Sequence, residues 1–188
     1  MRAAARTGQL LNYADIAKDV GISQQTAKAW LSVLQTSGMI YLLYPYSTNL
    51  TNRIIKTPKL YFLDTGLVCQ LTRWITSQTL ENGAMNGAIL ETYVVSEILK
   101  SYWHNGKQAD IYFYRDRDGK EIDLVIDENG KLYPIEIKKK SEPNKNDVKN
   151  FDILKKLNKP MGESAVVCLS QTYLPITEEI NTIPISYL

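Results

Sequence analysis

The chain has 188 residues, of which 44% are hydrophobic and 22% are charged, so its composition is that of a globular protein with one large domain or two small ones. It contains neither an apolar run of about 18 residues that could span a membrane nor the apolar core of a signal peptide. We therefore predict a cytoplasmic protein, with Cys69 and Cys168 as free thiols because their spacing matches no metal motif. Net charge is +2 overall, but residues 1–87 carry +4 and the remainder carries −2, which permits nucleic-acid contact by the first half.

The first half of the chain has the pattern of a helix-turn-helix. Gly21 suits the tight turn after a first helix, and Ser23 is a suitable N-cap for a second. Two extended runs follow, 39–47 and 53–64, and together they predict a winged helix-turn-helix over residues 1–70. The side chains of the second helix that recur at core spacing are Ala27, Trp30, Leu31 and Leu34.

Polar residues of this predicted domain fall away from the core stripe, where a DNA-binding protein would present them to DNA. Side chains of the second helix would enter the major groove, and basic side chains of the wing would contact phosphates. The predicted DNA-binding residues are Gln24, Gln25, Lys28, Arg53, Lys56 and Lys59. The alternative is that this half is a packing or dimerisation module.

After a predicted linker at 71–87, residues 88–188 read as a second domain. The pattern predicts a helix, three antiparallel strands, a second amphipathic helix and one or two further strands, which is an α+β or α/β arrangement with a mixed sheet flanked by helices. On the first of these helices, Glu91 lies on the apolar stripe, whereas Glu97 lies on a polar face. A core-facing carboxylate requires a partner, so Glu91 is a candidate functional residue.

The hairpin 121–140 carries charges on one face. Because side chains alternate along a strand, Asp123 on its first strand and Glu136 and Lys138 on its second should face the same side. Two facing carboxylates repel each other unless a proton or cation lies between them, and oxygen ligands suit Mg²⁺ or Mn²⁺. With Glu91 as a possible third carboxylate, the pattern predicts metal-assisted hydrolysis of a phosphodiester, with Lys138 beside the attacking water.

The order of Glu91, Asp123 and Glu136-Ile137-Lys138 resembles the PD-(D/E)xK nuclease superfamily, which has the restriction-endonuclease-like fold. The resemblance implies that Asp123, Glu136 and the Ile137 carbonyl bind the metal, that Lys138 assists catalysis, and that Glu91 completes the site. Two features depart from the superfamily patterns. Ile122 stands where a proline often precedes the aspartate, and the Gln-x-x-x-Tyr of the RecB-like branch is absent after Lys138.

A broader resemblance covers nearly the whole chain. The segments RTGQLLNYADIAKDVGIS, PKLYFLDTGL, GAILETYVVSEI, EIDLVI and PIEIKKK are similar to the C-terminal half of a bacterial and archaeal AAA-type ATPase family, whose C-terminal domain is of unknown function. The chain lacks a P-loop, so the resemblance implies a fragment or a chain without its ATPase domain. The expected function is a Mg²⁺-dependent DNA endonuclease guided by its winged helix, and the expected partners are DNA and, in a homo-oligomer, further copies of the chain. The alternatives are a non-catalytic DNA- or protein-binding region that regulates the ATPase, and a structural dimerisation module.

Overall fold

The computed structural model describes residues 1–47 and 57–188, and it has a mixed α+β architecture with two sheets in this part of the chain. The described residues form two compact units. The first comprises residues 1–43 and 57–96, and the second comprises residues 44–47 and 97–188. Residues 71–87, predicted as a linker between domains 1–70 and 88–188, belong to the first unit and include a short helix.

The first unit combines helices with a small antiparallel sheet in the order β1-β3-β2. A 3-10 turn at Ala4–Arg6 opens it. The elements that follow are β1 (Gln9–Leu10), α1 (Tyr13–Val20), α2 (Gln24–Thr36), β2 (Ile40–Leu43), β3 (Lys59–Phe62), α3 (Thr65–Thr72), α4 (Ser77–Glu81) and α5 (Asn86–His104), of which residues 86–96 belong to this unit.

Local sequence signals explain where α1 and α2 begin and end. The Asn12 side chain accepts the N–H groups of the first turn of α1, and Gly21 ends that helix with a φ of 77°, a conformation that glycine adopts without strain. The Ser23 hydroxyl then caps α2 by accepting the Thr26 N–H at 3.0 Å. These local features agree with the turn and cap that the sequence predicts.

Trp30 differs from its predicted role in the core. Ala27 and Leu31 are buried on α2, at 1% and 4% exposure, but Trp30 is 56% exposed. On a helical wheel Trp30 lies at the border of the stripe that Ala27 and Leu31 define, and Val33 lies beyond it. The outer surface of α2 therefore carries an apolar strip beside its polar residues.

The second unit is built on a mixed sheet in the order β4-β5-β6-β7-β8. Its strands are β4 (Ile111–Arg115), β5 (Glu121–Glu128), β6 (Lys131–Lys138), β7 (Ser164–Cys168) and β8 (Ile180–Pro184). The first three strands are antiparallel, as predicted, whereas β7 runs parallel to β6 and β8 runs parallel to β7. The carboxyl ends of β6, β7 and β8 consequently lie at one edge of the sheet.

A two-residue turn joins β5 to β6. Glu128 pairs with Lys131, and Asn129 and Gly130 between them have φ values of 53° and 76°. Positive φ at both positions is the requirement of a type I′ turn, whose twist matches that of the flanking strands. This turn fixes a register that ends at the pair Leu124 and Ile135, and Asp123 and Glu136 are the next residue on each strand.

The crossover from β6 to β7 differs from the predicted amphipathic helix. It contains 3-10 segments at Lys145–Asp147 and Phe151–Leu157. The Asn144 and Asp147 side chains cap the first segment reciprocally, and Asn and Asp favour such local bonds over helix continuation. The core of this unit nevertheless buries Phe151, Ile153 and Leu154. The apolar pattern therefore predicted which residues are buried, but it predicted an α-helix where the structure has 3-10 segments.

In the described ranges, 1–47 and 57–188, no helix combines the length and the apolar character that crossing a bilayer requires.

Candidate functional site

The candidate site of the second unit lies where the β5–β6 ladder opens. The last paired residues are Leu124 and Ile135. Beyond them, the Ile137 N–H donates to Asp123 Oδ2 at 2.9 Å, so a side chain replaces a backbone acceptor of β5. Because the N–H and C=O of one strand residue point to the same side, the Ile137 carbonyl faces the same opening as Asp123.

Glu136 is the most buried acidic residue of the site, at 6% exposure. Its Oε1 accepts the Lys138 ammonium at 2.6 Å, but its Oε2 is buried without a hydrogen-bond partner among the described residues. Burial, followed by repulsion from the Asp123 carboxylate, raises the pKa of Glu136 to about 7 despite the neighbouring lysine. The ionised form of Glu136 thus lacks part of the stabilisation that a buried carboxylate needs.

Lys138 lies between the two acids. Its Nζ is 2.6 Å from Glu136 Oε1 and 3.8 Å from Asp123 Oδ2. Burial acts to lower the pKa of Lys138, but the carboxylates of Asp123 and Glu136 outweigh it, so the pKa is raised. Asp123, Glu136 and Lys138 therefore share one side of the opening, as the alternation of the strands predicts, and Lys138 stays protonated there.

The donor atoms of this opening fit a small divalent cation. Asp123 and Glu136 supply carboxylate oxygens, and the Ile137 carbonyl faces the same side. No group of three or more His, Cys, Asp or Glu residues suited to a metal occurs within the described ranges. Two carboxylates remain consistent with Mg²⁺, which proteins often hold through one or two carboxylates while water and substrate phosphate complete its shell.

Glu91 has partners within the first unit. Its Oε1 accepts the Lys59 ammonium at 2.9 Å and the Tyr61 hydroxyl at 2.5 Å. The sequence predicts Lys59 as an exposed residue that contacts DNA phosphate. In the structure Lys59 is 4% exposed and its ammonium binds the Glu91 carboxylate instead. The expectation that core-facing Glu91 has a partner agrees with these contacts. The Lys59–Glu91 pair joins β3 to α5.

The other predicted DNA-binding residues lie on α2 and outside the described ranges. Gln24, Gln25 and Lys28 are exposed on α2, where a ligand could reach them. Arg53 and Lys56 fall outside the described residues. Of the predicted DNA-binding residues, those on the exposed surface of α2 are therefore the ones for which DNA contact can be argued from the structure.

The crossover segment borders the candidate site in a way that the sequence pattern did not indicate. The Lys140 ammonium lies 2.7 Å from Asp147 Oδ2. Partial burial acts to raise the pKa of Asp147, but Lys140 and the Asn144 N–H outweigh it, so the pKa is lowered. The Asn150 side chain also donates to the Glu121 carbonyl at 3.0 Å. The sequence pattern could not indicate the contacts of Asp147 and Asn150, because both residues lie in a segment without regular periodicity.

Comparison with known proteins identifies relatives whose functions are not described. Residues 2–78 match the model of a domain of unknown function, DUF8612, and residues 86–188 match the model of a domain of unknown function, DUF4143. The chain is also similar to uncharacterized protein Rv2008c of Mycobacterium tuberculosis and uncharacterized protein Mb2031c of Mycobacterium bovis, each 30% identical over 136 residues.

Each of these alignments covers 72% of this chain and 30% of the relative, so the chain spans about a third of the length of the curated relatives it matches. No solved structure matches the chain. The DUF4143 match covers more than half of the residues, and the chain therefore belongs to the DUF4143 family.

Proposed function

We propose that this chain hydrolyses phosphodiester bonds of DNA with Mg²⁺ or Mn²⁺, through a PD-(D/E)xK-type site in the second unit, and that the first unit is a winged helix that binds DNA. Asp123, Glu136 and the Ile137 carbonyl would hold the cation. A bound cation would neutralise charge on the phosphate and lower the pKa of a water molecule. Side chains of the opening would orient the cation ligands and stabilise the charge that develops on the phosphate.

The unpartnered Glu136 Oε2 is the observation that carries this proposal. It is buried beside a second carboxylate, and Lys138 reaches only the other oxygen of Glu136. Leaving a charged, buried oxygen without a partner costs stability, and natural proteins retain such costs mostly at functional sites. A divalent cation would supply what Oε2 lacks.

Lys138 and Asp123 have distinct roles under this proposal. The protonated Lys138 would donate to the attacking water or to a phosphate oxygen, where negative charge develops during hydrolysis. Asp123 binds the Ile137 N–H, and this contact would orient its carboxylate and the neighbouring carbonyl before a ligand arrives.

The element order of the first unit supports the winged-helix part of the proposal. α1 and α2 are joined by a short turn and followed by the antiparallel pair β2 and β3. In winged helix-turn-helix proteins the second helix enters the major groove. The exposed Gln24, Gln25 and Lys28 would be the side chains that reach the bases and phosphates.

The test uses Asp123→Asn and Lys138→Ala in assays of Mg²⁺-dependent cleavage of plasmid and single-stranded DNA. We expect each change to lower the rate by about a hundredfold or more, and Asp123→Asn to weaken Mg²⁺ binding measured by calorimetry. Asp152→Asn and Lys155→Ala are matched controls, because these residues form an exposed pair at 2.7 Å in the same unit. Metal-dependent cleavage that persists in both site variants would show the proposal to be wrong.

A second candidate function is a non-catalytic DNA- or protein-binding region that regulates an ATPase. The contacts of Lys138 with both carboxylates favour it, because the lysine already offsets part of their charge. This alternative predicts no heat of Mg²⁺ or Mn²⁺ binding, no cleavage of any nucleic acid, and unchanged DNA affinity in Asp123→Asn.

A further inference from the structure

The ends of three parallel strands bring the candidate site and two loops to one edge of the sheet. Lys138 pairs with Cys168, and Cys168 pairs with Pro184. Because neighbouring strands lie about 4.8 Å apart, the end of β6 is about 10 Å from the end of β8. Open α/β sheets commonly bind ligands beyond the carboxyl ends of their strands.

An exposed aromatic pair lies in the segments that follow β7 and β8. The rings of Tyr173 and Tyr187 have centroids 5.2 Å apart and an interplanar angle of 61°. Both tyrosines are more than half exposed, at 59% and 56%. Leu169 and Leu174, also partly exposed, belong to the same loop as Tyr173. Single exposed apolar residues are common, whereas a contiguous exposed apolar patch often marks an interaction site.

A buried polar network holds Tyr173 in place. The Thr182 side chain, on a residue that is 1% exposed, accepts the Leu174 N–H at 2.8 Å and donates to the Thr172 carbonyl at 3.3 Å. Ser170 joins this network by donating to the Thr182 hydroxyl at 3.4 Å. The Thr182 hydroxyl thus fixes the backbone on both sides of Tyr173. The Tyr173 ring is consequently held in a defined position at the surface.

Two lysines lie in the segment that contacts the loop of Tyr173. Lys139 and Lys140 follow Lys138 directly at the end of β6; Lys139 is exposed, and the Lys140 ammonium is paired with Asp147. The Leu169 N–H donates to the Lys140 carbonyl at 3.0 Å, which joins the segment after β6 to the loop that carries Tyr173. Lysines beside exposed aromatic rings are the combination that proteins use to bind single-stranded nucleic acids, since the charges attract phosphates and the rings stack with bases.

We propose that Tyr173 and Tyr187 form a stacking platform for unpaired bases, and that the strand bound there extends to the site of Asp123, Glu136 and Lys138. This inference rests on the proposed phosphodiester hydrolysis and assigns it a substrate class, single-stranded nucleic acid or the unpaired end of a duplex. The segment that carries Tyr173 lies beside β8, because Pro175 bridges Asn181 and the Leu174 N–H donates to the Thr182 hydroxyl. It is therefore three strand spacings, about 14 Å, from β6, which corresponds to roughly four nucleotides at a stacked rise of about 3.4 Å.

Stacking on these tyrosines distinguishes unpaired from paired strands. The bases inside a duplex are covered on both faces by their neighbours, and enzymes that act on such bases must first unstack them. An exposed ring pair at the protein surface can therefore bind only the bases of a strand that is already open. A duplex would contact this edge through its phosphates alone.

The test measures binding of a fluorescein-labelled oligothymidylate of about 12 nucleotides by fluorescence anisotropy, in EDTA so that no metal-dependent cleavage occurs. We expect Tyr173→Ala and Tyr187→Ala each to weaken binding roughly five- to hundredfold. Tyr173→Phe and Tyr187→Phe should bind as the unchanged chain does, because phenylalanine retains the stacking face. A duplex of the same length without unpaired bases should bind equally to all of these variants.

Tyr44→Ala is the matched control. Tyr44 is 43% exposed and belongs to the second unit. Its backbone contacts Phe113 of β4, and β4 and β8 are the two outermost strands on opposite sides of the sheet. This control should retain full affinity for the oligothymidylate. Equal affinities for Tyr173→Ala, Tyr187→Ala and the unchanged chain would overturn the platform, as would failure of the unchanged chain to bind the oligothymidylate.

Cleavage assays separate this inference from the proposed function. If the unchanged chain cuts duplex DNA and the tyrosine variants cut it equally well without losing oligothymidylate binding, the hydrolysis proposal stands and the platform is wrong. If the oligothymidylate binds through both tyrosines but no DNA is cut with Mg²⁺ or Mn²⁺, the platform stands as a binding surface and the hydrolysis proposal is wrong.

Discussion

At the residue scale, Glu136 couples the folded state to pH. Its pKa is about 7 in the folded protein against an ordinary value of 4.5, so the folded protein holds a proton that the unfolded chain releases between these pH values. The stability contributed by this proton is complete below pH 4.5 and is lost as the pH rises through 7. This pKa shift corresponds to a decrease in the free energy of unfolding on the order of 3 kcal/mol.

Glu136→Gln should remove this pH dependence, because glutamine does not titrate. In EDTA, we expect the free energy of unfolding of the unchanged chain to fall between pH 4.5 and pH 8 by on the order of 3 kcal/mol more than that of Glu136→Gln. Urea denaturation at several pH values measures the difference. Glu97→Gln is the control, since Glu97 forms a part-exposed pair with Lys100 on α5. Parallel pH profiles for the unchanged chain and Glu136→Gln would contradict the coupling.

At the element scale, the β5–β6 turn can be tested with two glycines that both leave room for a Cβ but have different backbone conformations. A Cβ added at Gly130 or at Gly87 meets no atom within 4 Å, but Gly130 has a φ of 76° whereas Gly87 lies in α5. Gly130→Ala should therefore destabilise the protein by about 1 kcal/mol, because a left-handed conformation strains any residue with a Cβ.

Gly87→Ala should have the opposite effect. Alanine favours helix over glycine, so this change should stabilise the protein by roughly 0.5 kcal/mol. Thermal denaturation of both variants provides the comparison. If Gly130→Ala were as stable as the unchanged chain, the turn would not require the positive φ that sets the register of Asp123 and Glu136.

The elements that sequence predicts best are those with local determinants. The Asn129-Gly130 turn and the alternation of Ile122, Asp123 and Leu124 depend on neighbouring residues alone, so the hairpin and its shared charged face could be predicted. The partner of Glu91 could not, because Lys59 is 32 positions away and lies on β3, and no repeat links the two. Nor could the 3-10 crossover, since its apolar spacing is equally typical of an α-helix.

At the scale of the whole molecule, the two units have different surface chemistry. The first presents polar residues and the exposed Trp30 on α2, whereas the second has the part-buried charges of Asp123 and Lys138 and, in the segments after β7 and β8, an exposed aromatic pair. Under the proposed function, α2 binds DNA while the second unit acts on a phosphodiester. A binding residue and a reacting residue should then differ in which kinetic constant they change.

Lys28→Ala tests this division of roles. Because Lys28 would contact DNA without touching the reacting phosphate, its loss should raise KM several-fold and leave kcat unchanged, whereas Lys138→Ala should lower kcat. Loss of one phosphate contact should also reduce the slope of log affinity against log salt by about 1. Lys18→Ala is the matched control, because Lys18 is an exposed lysine on α1. Equal effects of Lys18→Ala and Lys28→Ala on KM and on the salt slope would assign the DNA affinity to overall charge and exclude α2 as the recognition helix.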